Sequence, residues 1–224
     1  MQPYLFPYIG YWQLIYASDR FVIYDDVNYI KQGFINRNYI LSNNQKQLFT
    51  LQLIGASSNK LINEIKVGNN QKKLLKTIKQ NYMKTPFFND IYPLIEEILL
   101  YKESNLALFI GNSIKKIVDF LEIDTDIIYS SNIKKNNSLK AQSKVIDICK
   151  ILEAKVYINP IGGQKLYDKN TFTNNNIELK FLKPKNILYT QFNNKFVENL
   201  SIIDIMMFND KKTIQKFLRE YELI

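Results

Sequence analysis

The chain has 224 residues and a mass of 26.5 kDa, and its 46% hydrophobic and 23% charged residues are typical of a folded globular protein. It contains no His and a single Cys, so Ser-His-Asp and Cys-His catalysis, an internal disulfide and a thiolate-rich metal site are excluded. The formal net charge of +9 is carried almost entirely by Lys scattered along the sequence, which favours a solvated lysine surface over a nucleic-acid site.

The amino-terminal part of the chain predicts a loop, a helix, a strand and a hairpin. The loop is aromatic and interrupted by Pro, whereas the strand is a β-branched and aromatic run that ends at Asp25 and Asp26. In chain order, these elements are the loop 4–8, the helix 10–16, the strand 20–24, and a hairpin of residues 39–41 and 48–53 with a loop over 42–47.

The rest of the chain predicts three helices followed by strands that alternate with helices. The helices cover 70–83, a segment from Phe88 to Leu99, and 105–121, and we interpret this stretch of about 70–121 as a helical insertion or cap. Alternation of strands and helices predicts βαβ units and a parallel sheet. The elements there are the strands 127–129, 155–158 and 177–182, and the helices 138–152, 164–173, 201–208 and 211–221.

These patterns together predict an α/β fold with a mostly parallel, Rossmann-like sheet and a helical insertion. No repeat or low-complexity linker divides the sequence, so residues 1–224 are expected to form a single domain. No apolar stretch approaches the roughly 20 residues that a spanning helix needs, and the start lacks a basic targeting region. We therefore expect no membrane span and a cytoplasmic location.

Several sequence motifs resemble the WbqC-like family of bacteria. The strongest is Gln2-Pro3-Tyr4 followed by Pro7-Tyr8-Ile9-Gly10-Tyr11 and Gln13; others are Asp25-Asp26-Val27, Asn36-Arg37-Asn38, Tyr157 with Gly162-Gly163, and Leu200-Ser201-Ile202-Ile203-Asp204. The resemblance covers essentially the whole chain. Members of this family usually carry a short strand before the Gln-Pro pair, whereas Met1 directly precedes Gln2 here, so either a sheet edge is unfilled or the start lies upstream.

The resemblance implies an enzyme of surface-polysaccharide biosynthesis, of the O-antigen type. The implied reaction is transfer of an acyl or aminoacyl group to a nucleotide-linked amino sugar. Its partners would be a nucleotide sugar or another phosphorylated small molecule, with an acyl or aminoacyl donor. Two alternatives stay open: a non-catalytic module that binds sugar nucleotides and, less favoured, a nucleic-acid-binding protein. The sequence identifies no cofactor and no metal site.

Asp25 and Asp26 are the candidate catalytic residues. Ligands of α/β sheets bind beyond the carboxyl ends of the strands, and these two acids follow directly after the strand 20–24. A carboxylate at that place could take a proton from an attacking amine or hydroxyl, or bind a divalent cation. The alternative is that adjacent acids at a strand end cap a helix or face water.

The candidate substrate-binding residues come from four short segments. Arg37 offers a planar fork that suits phosphate or carboxylate, although it could equally lie in a surface turn. The turn ending in Tyr11 is faintly similar to the phosphate-receiving loop of HxGH nucleotidyltransferases, but it lacks the His. The full set is Gln2, Tyr4, Tyr8, Tyr11, Asn36, Arg37, Asn38, Gly162, Gly163 and Asp204.

The last three members of this set carry their own alternatives. Gly162 and Gly163 follow a strand and would let backbone N–H groups approach an anion, yet a simple turn explains them as well. Asp204 lies in an apolar run and needs a partner if it is buried, or it completes a capping box with Ser201.

Overall fold

The computed structural model describes residues 1–192 and 195–224 and shows a mixed α/β protein. Its helices are α1 (Ile9–Tyr16), α2 (Gln71–Tyr82), α3 (Phe88–Leu99), α4 (Leu106–Leu121), α5 (Ala141–Ile151), α6 (Lys169–Thr173), α7 (Ile202–Phe208) and α8 (Lys211–Phe217). Its strands are β1 (Arg20–Ile23), β2 (Arg37–Ser42), β3 (Gln45–Thr50), β4 (Leu53–Ile54), β5 (Lys66–Val67), β6 (Asp126–Tyr129), β7 (Val156–Pro160), β8 (Glu178–Pro184) and β9 (Tyr221–Leu223).

The strands pair in small sheets. β1 and β6 are parallel, as are β7 and β8, while β9 adds antiparallel to β8; β2 with β3 and β4 with β5 form antiparallel pairs. The parallel pairing of β1 extends to Met1, whose amino group donates to the carbonyl of Val22 at 2.8 Å and whose carbonyl accepts from Tyr24 N at 2.7 Å. In the described residues the two parallel pairs are not joined by a hydrogen-bonded ladder, so they stand as separate sheets.

Helix α5 connects the two parallel pairs. It begins beside the end of β1, where the Lys144 ammonium lies 3.1 Å from the Asp26 carboxylate. It ends beside the start of β1, where Arg20 donates to the carbonyl of Leu152 at 3.2 Å. The helix therefore runs antiparallel to β1 on its way from β6 to β7, which is the course of a βαβ crossover.

Helices α2, α3 and α4 lie where apolar periodicity predicted them. The predicted helix 164–173 is α-helical only over α6, and the predicted helix 211–221 ends at Phe217 because Tyr221–Leu223 pairs with β8 as β9. Asn105 caps α4 by accepting from the N–H groups of Ala107 and Leu108, and Glu122 ends it in the left-handed region at φ 56°. The buried faces of α2, α3 and α4 belong to the same hydrophobic cluster as α1 and β1. None of the described helices is long and apolar enough to span a bilayer.

The hairpin turn is shorter than the sequence suggested. Only Asn43 and Asn44 connect β2 to β3, and both have positive φ, at 47° and 61°. Positive φ at both central residues is the type I′ geometry, whose twist matches the flanking strands and which Asn tolerates better than most residues. The short strands β4, β5 and β9 were not predicted from the sequence, since two or three residues are too few to show the apolar–polar alternation of a strand.

Candidate functional site

Asp25 is a buried carboxylate whose oxygens are occupied by neighbouring protein groups. Its side chain accepts from the backbone N–H of Ser131 at 2.9 Å, from the Ser131 hydroxyl at 2.6 Å and from the Asn63 amide at 3.4 Å. The residue is 2% exposed. These bonds join the segment after β1 to the segment after β6, beyond the last residues that the β1–β6 ladder pairs. This is the pattern of a structural crosslink.

Asp26 has a different and asymmetric environment. Its Oδ2 lies 2.8 Å from the Lys135 ammonium and 3.1 Å from that of Lys144, and the Lys135 side chain is only 1% exposed. Its Oδ1 is shielded from solvent and has no hydrogen-bond partner among residues 1–192 and 195–224. The Ser130 hydroxyl lies beside the same carboxylate and helps to lower its pKa by hydrogen bonding, although neither this hydroxyl nor Oδ1 has a partner of good hydrogen-bond geometry within those residues. One oxygen is thus held by two cations, while the other has only the Ser130 hydroxyl beside it.

The charges of this cluster, defined as Asp26, Ser130, Lys135 and Lys144, leave a net positive site. Burial by itself raises the pKa of Asp26, but hydrogen bonds from Lys135, Ser130 and Lys144, together with the Lys135 charge, outweigh it and hold the pKa below its ordinary value. The carboxylate is therefore ionised at neutral pH. One lysine charge remains uncompensated, so the Asp26 cluster favours an anionic ligand.

Tyr24 borders the Asp26 cluster. Burial and the Asp26 charge raise the pKa of its phenol to about 12, so it stays protonated and can donate a hydrogen bond. The Lys144 ammonium lies 5.3 Å from the centre of its ring, within the range of a cation–π contact. The side chain is half-buried and is available to a ligand at the strand end.

The residues at and after the end of β7 lie near Tyr24. The phenol of Tyr167 contributes to the raised pKa of Tyr24, and its oxygen lies 3.4 Å from that of Tyr157 on β7. Gly163 packs under Asn159, since a β-carbon there would come within 1.8 Å of the Asn159 amide nitrogen. Gly162 is open, because an added β-carbon would meet nothing within 4 Å. Gly163 is accordingly a packing residue, and Gly162 alone keeps accessible backbone at this edge.

The amino-terminal loop and the Asn36-Arg37-Asn38 segment lie against each other. Leu5 N donates to the carbonyl of Ile35 at 3.0 Å, and the Asn38 amide donates to the carbonyl of Phe6 at 2.8 Å. Asn36 accepts from the Tyr29 hydroxyl and donates to the Leu51 carbonyl. Both asparagines are buried and bind protein groups, so their contacts favour a structural role over ligand binding.

Arg37 fixes a turn. Its guanidinium donates to the carbonyls of Gly33, at 3.0 Å, and of Gln32. Those residues close a turn in which Gly33 N donates to the carbonyl of Ile30. The side chain is half-buried and keeps further N–H groups that these bonds do not use. No hydrogen bond or ion pair in the described residues joins Arg37 to the Asp26 cluster.

Two of the three tyrosines of the amino-terminal motif pack ring against ring, and the third, Tyr8, lies near Tyr4. Tyr11 is buried, donates to the carbonyl of Gln2 at 2.9 Å and has its ring 5.6 Å from that of Tyr4. Tyr8 is 37% exposed, and its ring lies over Gly10 at the start of α1, where a β-carbon would approach it to 2.5 Å. Tyr4 and Tyr8 are therefore the members that a ligand can reach.

Asp204 is completely buried in a separate polar network. It accepts from the hydroxyls of Tyr82 at 2.8 Å and Tyr189 at 2.6 Å, and from the Gln191 amide at 2.7 Å. Burial raises its pKa, against the lowering effect of those hydrogen bonds. Ser201 caps α7 as expected, but the Asp204 side chain points to these partners instead of completing a capping box. The network joins α2 to α7, away from the Asp26 cluster.

Other features of the surface lie apart from these residues. Two open depressions of about 240 Å³ are lined by Lys183–Asn186 with Glu222, and by residues of α5 together with Leu139, Thr171 and Asn175. Within the described ranges, no group of three or more Asp, Glu or Cys side chains is placed to hold a metal ion.

Comparison with known proteins decides the family. The sequence model of the WbqC-like protein family matches residues 2–216. The chain belongs to the WbqC-like protein family. It is also 25% identical over 218 residues to a Mycobacterium tuberculosis (strain H37Rv) protein described as "Uncharacterized protein Rv1507c", covering 95% of this chain and 93% of that protein. No solved structure matches the chain.

In this WbqC-like chain, Asp26 was a candidate from the sequence, whereas its partners Ser130, Lys135 and Lys144 were not named there. Lys144 carried a readable signal, since it precedes Ile148 by one helical turn on the apolar face of the predicted helix, where a lysine is unusual. Lys135 and Ser130 carried none, because their proximity to Asp26 depends on the pairing of β1 with β6.

Proposed function

We propose that the protein is an enzyme of surface-polysaccharide biosynthesis that transfers an acyl or aminoacyl group to the amine of a nucleotide-linked amino sugar. The observation that carries the proposal is the asymmetric Asp26 carboxylate, with Oδ2 held by Lys135 and Lys144 and Oδ1 unpaired within the described residues. The reaction class comes from the family resemblance, whereas the site comes from the geometry.

Asp26 would act as the general base. The sugar amine attacks the acyl carbonyl of the donor, a C–N bond forms, the bond to the donor's leaving group breaks, and Oδ1 accepts the proton that the nitrogen loses. The two lysines keep the carboxylate ionised and fixed in orientation. Substrate entry would pass the irregular segment 133–140, which carries Lys135 over the cluster.

The phosphates of the sugar nucleotide would bind beside this base. The excess lysine charge, the Tyr24 phenol and the open backbone at Gly162 all lie at strand ends. We propose that the two parallel pairs are halves of one Rossmann-like sheet, in which case this place is the usual ligand crevice. The crossover of α5 and the proximity of Tyr24 to Tyr167 support that arrangement.

The second candidate is a module that binds a sugar nucleotide without turning it over. It is favoured by the lowered pKa of Asp26, since a carboxylate stabilised by two cations is a weak base. Binding of the phosphates would be the same in both cases. A nucleic-acid partner has only the net charge of +9 in its favour.

The decisive experiment combines binding with product analysis. Thermal-shift measurements would use UDP- and dTDP-linked amino sugars, with oligonucleotides as the comparison, and mass spectrometry would then follow each stabilising sugar with acyl and aminoacyl donors. The enzyme proposal expects stabilisation by an amino-sugar nucleotide and a product heavier by the transferred group. Stabilisation without product would favour the module, and no stabilisation by any sugar nucleotide would overturn both.

A further inference from the structure

Helix α2 presents a lysine face that is independent of the Asp26 cluster. The face is made of Lys72, Lys73, Lys76 and Lys79, all exposed, while the opposite side of the helix is buried in the core. Spacings of three and four residues place these lysines on one surface, which extends about 10 Å along the helix axis. The helix contains no Asp or Glu.

The charges of the lysine face are not neutralised by neighbours. None of the four ammonium groups lies within 4.0 Å of a carboxylate in the part of the chain that the structure describes. The adjacent helix α3 carries Asp90, Glu96 and Glu97, but the carboxylate of Glu97 is paired with Lys116 of α4 instead. The lysine face is therefore a patch of uncompensated positive charge.

Two of these lysines interact unfavourably with the dipole of their own helix. Lys72 and Lys73 lie in the first turn of α2, where the helix dipole is positive and no acidic residue offsets it. Asn70, at the N-cap position, gives no side-chain cap to that end. Cations at this end weaken a helix slightly, so the fold itself gains no stability from these two charges.

We infer that the lysine face docks the protein on an anionic lipid bilayer. Four lysines on a convex helix are point charges suited to a diffuse anionic plane, whereas shaped phosphate sites favour the arginine fork, and Arg20, Arg37 and Arg219 all lie outside α2. Met83, directly after α2, is 55% exposed and supplies an apolar side chain for the headgroup layer. The face has no aromatic side chain on which nucleic-acid bases could stack.

The test is sedimentation of the full chain with vesicles at two salt concentrations. Wild type is expected to bind vesicles of phosphatidylcholine and phosphatidylglycerol at low salt, to bind phosphatidylcholine alone weakly, and to dissociate as salt is raised. The variant with Lys72→Gln, Lys73→Gln, Lys76→Gln and Lys79→Gln should lose about tenfold or more in partitioning. If the variant with four substitutions proves unstable, the double variant Lys76→Gln with Lys79→Gln takes its place and should show an intermediate loss of vesicle binding.

A charge-matched control removes exposed lysines elsewhere that pair with no carboxylate in the described ranges: Lys150→Gln, Lys155→Gln, Lys165→Gln and Lys169→Gln. It should bind anionic vesicles within about twofold of wild type, since bilayer attraction falls off within a Debye length of the docked face. An equal loss of vesicle binding in the two variants with four substitutions would overturn the proposal, because net charge alone would then explain binding. Loss of duplex-oligonucleotide binding with unchanged vesicle binding would overturn it in favour of a nucleic-acid partner.

Discussion

Two adjacent carboxylates at the end of β1 illustrate how strand geometry separates roles. Successive side chains of an extended chain point to opposite faces, so Asp25 turns toward Ser131 and Asn63 while Asp26 turns toward Lys135 and Lys144. Asp25 is enclosed by donors that satisfy both of its oxygens. Asp26 keeps one oxygen unpaired in the described structure, so only Asp26 combines a fixed position with free bonding capacity.

We expect the two conservative amide substitutions to separate these roles. Asp26→Asn should abolish turnover while sugar-nucleotide binding stays within a few-fold, because the amide cannot accept the proton. Asp25→Asn should retain most turnover but lower the free energy of unfolding by about 1–3 kcal/mol, since it weakens buried charge-assisted hydrogen bonds. Product formation by mass spectrometry and urea denaturation would measure both effects. Full activity of Asp26→Asn would remove this residue as the base.

The Asp26 cluster should also give a specific acid dependence of stability. Because the folded-state pKa of Asp26 is depressed, its pairing stabilises the fold above the ordinary carboxyl pKa of about 3.9 and is lost as pH falls through the folded value. The stability gap between wild type and Lys144→Gln should therefore be largest near neutral pH and shrink below about pH 4. Thermal denaturation across this range would measure it, with Lys150→Gln as the exposed control. A gap independent of pH would show that Lys144 acts by packing alone.

At the residue scale, a candidate site residue can be predicted from the sequence when its position in a helix or strand is unusual. A residue that joins the site only through tertiary contacts cannot be predicted in this way. Asp26 was identifiable because it ends a strand, and Arg37 because arginine is rare in the chain. The engagement of Asn36 and Asn38 with Leu51, Phe6 and Tyr29 could not be read locally, since these partners meet only through the fold.

The elements divide by length into those that a pattern predicts and those it does not. Helices such as α2 and α4 bury three or more apolar residues at helical spacing, so their period was readable. β4, β5 and β9 have two or three residues and exist because a neighbouring strand offers hydrogen bonds. The parallel pairing of β1 with β6 and of β7 with β8 was readable from alternation. The separation of the described strands into small sheets, in which the other three pairs are antiparallel, was not.

The turn between β2 and β3 offers a test at the element scale. Asn44 has φ 61°, a conformation that costs most L-residues about 1–2 kcal/mol and costs glycine little. Asn44→Ala should lower the free energy of unfolding by about 1 kcal/mol, whereas Asn44→Gly should leave it unchanged or raise it. Chemical denaturation of the three proteins would decide this, and equal stabilities for Ala and Gly would contradict the turn geometry.

Two hydrophobic clusters of unequal size are formed by the described residues 1–192 and 195–224. The larger includes α1 to α4, α7 and α8, and the smaller packs Ile146, Cys149, Phe172, Ile177, Leu179 and Phe181 between α5, α6 and β8. A small core buries less apolar surface and opens at lower free energy. The part of the fold that carries Lys144 and the β7 edge is thus expected to open before the part that carries β1.

A single cysteine and a single tryptophan make this order measurable. Cys149 lies in the smaller cluster, where burial raises its pKa to about 11 and keeps the thiol unreactive, while Trp12 is fully buried in the larger one. Cys149 should become reactive toward a thiol reagent at urea concentrations that leave Trp12 fluorescence unchanged. Coincident transitions of the two probes would show that the clusters unfold together.

The backbone of the amino-terminal loop is held by residues almost two hundred positions later. The carbonyl of Phe6 accepts from the Ser201 hydroxyl at 2.8 Å, and that of Pro7 accepts from Ile202 N at 3.0 Å. During synthesis on the ribosome, the first of these segments emerges long before the second. The amino-terminal loop can therefore make its contacts with Ile35 and Asn38 early in synthesis, but it gains these two further anchors only after residues 201 and 202 have left the ribosome.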